Sequence, residues 1–166
     1  MTPVALFGLQ FTLALLAYAL LGAWYVAPRL RVLPLVVALQ PLVWVHVFRF
    51  VGGTVLAPGS VAAAVPDHFR RLVGYGDLLT SALALLAVAA LHLRWRPAVA
   101  LVWVVLVVGG LDTVNAILWS ARDDVFPHAL GVNWVVVTAY VPALLVSTVL
   151  AVLELVRRRP VPAGSG

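Results

Sequence analysis

AVALVWVVLVVGGLDTVNAILWS, residues 98–120, decides the fold of this chain. It holds one charged side chain, Asp112, and one amide, Asn115, in an otherwise apolar run. A bilayer core is crossed by a helix of ~20 predominantly apolar residues. The run is long enough to span a membrane and too apolar for an ordinary surface helix.

Four more runs of the same kind flank it, at residues 4–26, 33–55, 72–93 and 132–156. Proline or glycine punctuates each junction: Pro28 and Pro34, then Pro58, Gly59 and Pro66, then Pro97, then Pro127 and Gly131. The expected fold is an all-α membrane protein, a five-transmembrane-helix bundle in a single domain over residues 1–159. Residues 160–166 read as a short disordered tail. The first run has no basic residue before it and is too long for a signal peptide.

Composition agrees. The 166 residues are 64% hydrophobic and 10% charged, against about 45–50% apolar in a soluble domain. Cysteine is absent, which excludes disulfides, thiolate metal sites and cysteine nucleophiles. The net charge of +5 comes from arginines placed beside apolar runs, so it gives no patch for nucleic acid.

Those arginines orient the chain. Arg29 and Arg31, Arg94 and Arg96, and Arg157, Arg158 and Arg159 mark the first and third junctions and the C-terminus. The other two junctions hold only Arg70, Arg71 and Arg122, accompanied by Asp67, Asp123 and Asp124. Arginine favours cytoplasmic loops. The N-terminus is therefore expected outside and the C-terminus in the cytoplasm. Trp24, Tyr25, Trp95, Trp119 and Trp134 fall near the expected interfaces, as an aromatic belt should.

Three charges remain inside the spans: Arg49, Asp77 and Asp112. At about 1.5 Å per residue, they share a depth about 8–14 Å below the outer surface with Gln10, His46, Asn115 and Tyr140. Insertion scales put a central Asp or Arg at about +2.5–3.5 kcal/mol, so three facing lipid would cost roughly 7–10 kcal/mol. They are expected to face the interior, where Arg49 pairs with one carboxylate or bridges both. One negative charge is then left over for a proton, a cation, a protonated His46 or a ligand to balance. The candidate ligand-binding or charge-relay residues are Gln10, His46, Arg49, Asp77, Asp112, Asn115 and Tyr140; none is assigned a catalytic role.

Blander readings stand beside this one. A buried Arg–Asp pair often only fixes helix register. Asn115 and Gln10 taken singly are interhelical glue, and His46 taken singly is a satisfied interior histidine. Asp67, His68, Asp123, Asp124 and His128 read as a solvated outer loop rather than a metal site. His92 and Glu154 lie near the cytoplasmic ends of their helices, close enough in depth to pair. His46 and His92 are about 20 Å apart in depth, too far for bis-histidine haem. No metal, cofactor, phosphate-loop or nucleophile motif is expected.

Several short elements carry a resemblance. They are Gln40, His46-Val-Phe-Arg49-Phe-Val-Gly52, Pro66 with Phe69, Gly74-Tyr-Gly76-Asp77, Gly110-Leu-Asp112 and Val141-Pro142. Together they resemble an uncharacterised family of small five-helix bacterial integral membrane proteins. The resemblance implies the five-helix fold and assigns no activity.

Three functions compete. The first is binding or transport of a small polar solute, cation or proton at an outward-facing polar site in the bacterial cytoplasmic (inner) membrane. Five helices are few for a transporter, so a homo-oligomer or larger complex is expected. The second is an intramembrane enzyme on a lipid-linked substrate, with Asp77 and Asp112 as acid and base. The third is a structural or accessory subunit whose Arg49–Asp pairs only specify packing.

Overall fold

A computed structural model of the chain describes residues 1–123, 125, 128 and 130–158. Asp124, Pro127, Arg159 and the tail 160–166, all used in the sequence reading, lie outside the described residues. Five helices are long and apolar enough to cross a membrane: α1 (Pro3–Arg31), α2 (Leu35–Leu56), α3 (Asp67–His92), α4 (Ala98–Arg122) and α5 (Asn133–Arg157). No strand occurs among the described residues.

Prolines bend these helices rather than end them. Pro28 is expected to close the first span near residue 26, yet α1 continues to Arg31 through a π-helical turn, Gly22–Val26. A proline ring clashes with the carbonyl four residues back and offers it no N–H. A π turn widens the local winding and accommodates the misfit. The same device recurs in α5, where the π turn Val136–Tyr140 precedes Pro142. Each π turn ends two residues before its proline.

The third span starts earlier than residue 72, at Asp67. Pro66, extended at φ −61° and ψ 141°, takes the N-cap position. Asp67 in the first turn complements the helix dipole and also holds the Arg70 guanidinium at 3.1 Å. Arg70 and Arg71 thus belong to the helix rather than to the loop before it.

Helix α2 changes winding. It is α-helical through Val47 and 3₁₀ over Phe48–Leu56. Runs of 3₁₀ beyond three or four residues are uncommon. Side chains from neighbouring helices grip α2 on both sides of the change in winding. Ser147 donates to the Leu42 carbonyl at 2.8 Å, Ser81 to Val47 at 2.5 Å, and Arg70 Nε to Val55 at 3.2 Å. The Tyr140 hydroxyl donates to the Val45 carbonyl at 2.5 Å. In a bilayer such donors hold carbonyls that the irregular winding leaves underused.

These grips make α2 the hub of the bundle, packed on α3, α4 and α5, while α3 also packs on α4. Helix α1 is peripheral and lies on α5; none of Pro3–Leu21 is buried. They pack closely at Gly22, where a Cβ would sit 3.0 Å from Val146 Cγ1. Helices α4 and α5 are not principal packing partners of each other.

The main core fills the short-turn end. Leu39, Val43, Leu91 and Val102 are fully buried there, and Ala84, Ala87 and Ala151 let the backbones approach. A smaller cluster of Val65, Phe69, Val125 and Leu130 closes the opposite, long-loop end. The expected His92–Glu154 pair does not form. His92 is exposed, whereas buried Glu154 has Arg158 one turn away on its own helix, with Nη2 2.6 Å from Oε2. That contact is electrostatic, since its geometry is not a hydrogen bond's. The same guanidinium donates to the Leu30 and Leu33 carbonyls, tying α5 to the α1–α2 junction.

Candidate functional site

Arg49 projects from the 3₁₀ part of α2 and is 4% exposed. Its Nε donates to Asp77 Oδ1 of α3 at 2.7 Å, and its Nη2 donates to Asp112 Oδ2 of α4. Its Nη1 donates to the Gly109 carbonyl at 3.0 Å and to Thr113 Oγ1 at 3.2 Å. Four of its five N–H groups are therefore committed. One arginine bridges both carboxylates, so three helices converge on a single guanidinium.

Three glycines make the convergence possible. A Cβ at Gly52 would lie 1.8 Å from Asp77 Oδ2, and one at Gly76 would lie 1.8 Å from Asp112 Oδ1. At Gly109 it would lie 3.1 Å from Arg49 Nη1 and 2.9 Å from Thr80 Cγ2. Each charged group thus rests on a bare Cα of a neighbouring helix. Gly52 sits one 3₁₀ turn after Arg49, a spacing that eclipses the two on one face.

Above the ion pairs lies a cavity of about 130 Å³. Arg49, Asp77 and Asp112 form its charged floor, and Thr113, Tyr140, Asn133 and Ser120 also line it. The remaining walls are apolar, among them Val73, Ala116, Ile117, Val137 and Leu144. Val65, Phe69, Val125 and Leu130 roof it at the long-loop end. The cavity occupies the space between α4 and α5. An apolar cavity of about 150 Å³ accommodates benzene in another protein, so this void is of small-molecule size.

The other candidate residues sit differently. Tyr140 lines the cavity, with its hydroxyl committed to Val45. His46 is 1% exposed and lies behind Gly109 rather than on the cavity wall. Its Nε2 is 3.4 Å from Thr148 Oγ1, and its Nδ1 has no partner among the described residues. Asn115 is half-buried, hydrogen-bonds no described residue and does not line the cavity. Gln10 is exposed on peripheral α1, where its Oε1 accepts from Trp134 Nε1 at 2.6 Å.

The sequence reading gave Gly52, Thr113 and Asn133 no place in the site. Gly52 was discernible from its spacing to Arg49, and Thr113 from its position one turn after Gly109. Asn133 is buried and ties the start of α5 to the end of α2 and the loop after it, its Oδ1 accepting from Thr54 at 2.8 Å and its Nδ2 donating to the Ser60 carbonyl at 3.4 Å. At the long-loop end His68 Nε2, in the first turn of α3, lies 2.8 Å from Asp123 Oδ2 and its ring stacks edge-on to Trp119 of α4. No group of three or more metal-ligating side chains occurs among the described residues.

A family model described as a domain of unknown function (DUF8737) matches residues 6–156. No curated protein and no solved structure matches the chain.

Proposed function

The chain belongs to this family of unknown function, and we propose that it binds or transports a small solute in the cavity above Arg49, Asp77 and Asp112. The proposal includes the setting read from the sequence: a bacterial cytoplasmic membrane, with the N-terminus outside, the C-terminus inside and the cavity in the outer half.

The observation that carries this reading is the void beside the ion pairs. Buried salt bridges that only fix register are best served by dense packing, because protein interiors leave few voids larger than a water. Here the floor is charged, the walls are apolar, and about 130 Å³ stays open. The floor also carries one carboxylate more than it has arginines, which leaves a cation, a proton or a donor-bearing solute to balance it. Both carboxylates are engaged by one arginine, which disfavours the protonated form that the general acid of the hydrolytic reading needs.

A pair of variants tests it in a strain lacking the gene. Ala116→Phe fills the cavity from α4 and should leave the purified protein folded while abolishing complementation. Arg49→Leu with Asp77→Leu removes the bridging arginine and one of its two carboxylates and should also abolish it. If the double variant folds and complements fully, the charges serve packing alone and the proposal fails.

A further inference from the structure

We infer that the ligand of this cavity is an amphipathic monocation, a protonated amine carried on a compact apolar body. The inference rests on the cavity being a binding site and adds the chemical class of its occupant.

The donor and acceptor inventory of the floor points this way. Arg49 has already placed Nε, Nη1 and Nη2 on Asp77, Gly109, Thr113 and Asp112. It has almost nothing left to offer an anion. Each carboxylate, by contrast, spends one oxygen on Arg49. Asp77 Oδ2 and Asp112 Oδ1 receive no hydrogen bond from a described residue and rest on Gly52 and Gly76. An ionised carboxylate accepts up to about four hydrogen bonds, so the floor is rich in acceptors and poor in donors. The Tyr140 hydroxyl does not redress this, because it is spent on Val45. With one arginine against two aspartates, the floor carries a formal charge of −1. An incoming cation supplies both the missing charge and the missing donors.

The walls set the rest of the molecule. Most of the lining is aliphatic, and the space lies between α4 and α5, which pack on other helices rather than tightly on each other. Ile117, on the α4 wall, is 55% exposed at what would be the lipid-facing surface. A small inorganic ion would leave those walls unfilled. A ring-sized apolar body would fill them, and it would have access from the bilayer past Ile117.

The test uses the full-length protein in detergent and three probes of one shape: benzylammonium, benzyl alcohol and benzoate. Binding is read by isothermal titration and by thermal shift, with Ala116→Phe as the blocked control. Benzylammonium should bind at least tenfold more tightly than the other two, and Ala116→Phe should abolish it. Asp112→Asn neutralises the floor and should reduce benzylammonium to the level of benzyl alcohol; Asp77→Asn serves if that variant does not fold. Equal binding of all three probes, or tighter benzoate, overturns the cation assignment and leaves the binding cavity standing. No binding of any probe beyond the Ala116→Phe control overturns both.

Discussion

Asp112 Oδ1 lies against the bare Cα of Gly76, so close that a methyl group there would sit 1.8 Å from it. The carboxylate cannot simply swing aside, because Oδ2 is held by Arg49. Gly76→Ala should therefore break the Arg49–Asp112 pair and destabilise the protein by about 1–3 kcal/mol, the usual range for overpacking. Gly110→Ala, on the same helix as Asp112 but with nothing within 4 Å of its Cβ position, should be neutral or stabilising by up to about 1 kcal/mol. Thermal unfolding in detergent compares them, and equal effects would contradict the packing described.

Arg49→Leu should cost more than Asp112→Leu. Removing the arginine strands two carboxylates, and breaking a buried pair from one side costs about 3–5 kcal/mol. Removing Asp112 leaves Arg49 paired with Asp77 at 2.7 Å and evens the charge count. Arg49→Lys should not rescue, because a lysine cannot reproduce a planar fork aimed at two neighbouring helices. The reverse order of melting temperatures would overturn the charge arithmetic.

Tyr140→Phe removes one interhelical hydrogen bond, to the Val45 carbonyl. The expected loss is about 0.5–1.5 kcal/mol, with the fold retained. A much larger loss would mean that the hydroxyl also anchors the π turn.

Membrane orientation is open to direct labelling, since the chain has no native cysteine. Ala64→Cys, at an exposed loop position, should react with an impermeant maleimide in intact cells. Trp95→Cys, in the exposed turn after α3, should react only after lysis. The opposite pattern would invert the orientation read from the arginines.

The five spans and the meeting of Arg49, Asp77 and Asp112 were legible in the sequence, because charges inside apolar runs have few places to go. Depth along a helix does not give direction. Gln10 was expected in the layer, yet α1 stands at the edge of the bundle and turns it toward Trp134. Asn115 is three residues beyond Asp112, and the face of α4 that carries Asp112 into the cavity leaves it aside. His46 and Arg49 are separated by the change from α to 3₁₀ winding, which no periodicity in this short apolar run discloses. Pro28 read as punctuation, because the π turn that absorbs it has no signature of its own. The cavity depends on which helices fail to pack together, a property of the whole bundle.

A cryo-EM or crystallographic density map of the protein taken from its native membrane, without added ligand, tests the central claim most directly. The account predicts a void between α4 and α5 above Arg49, containing non-protein density whose polar end contacts Asp77 or Asp112. Closure of α4 onto α5, with Ala116 and Val137 packed together and no space above the ion pairs, would contradict it.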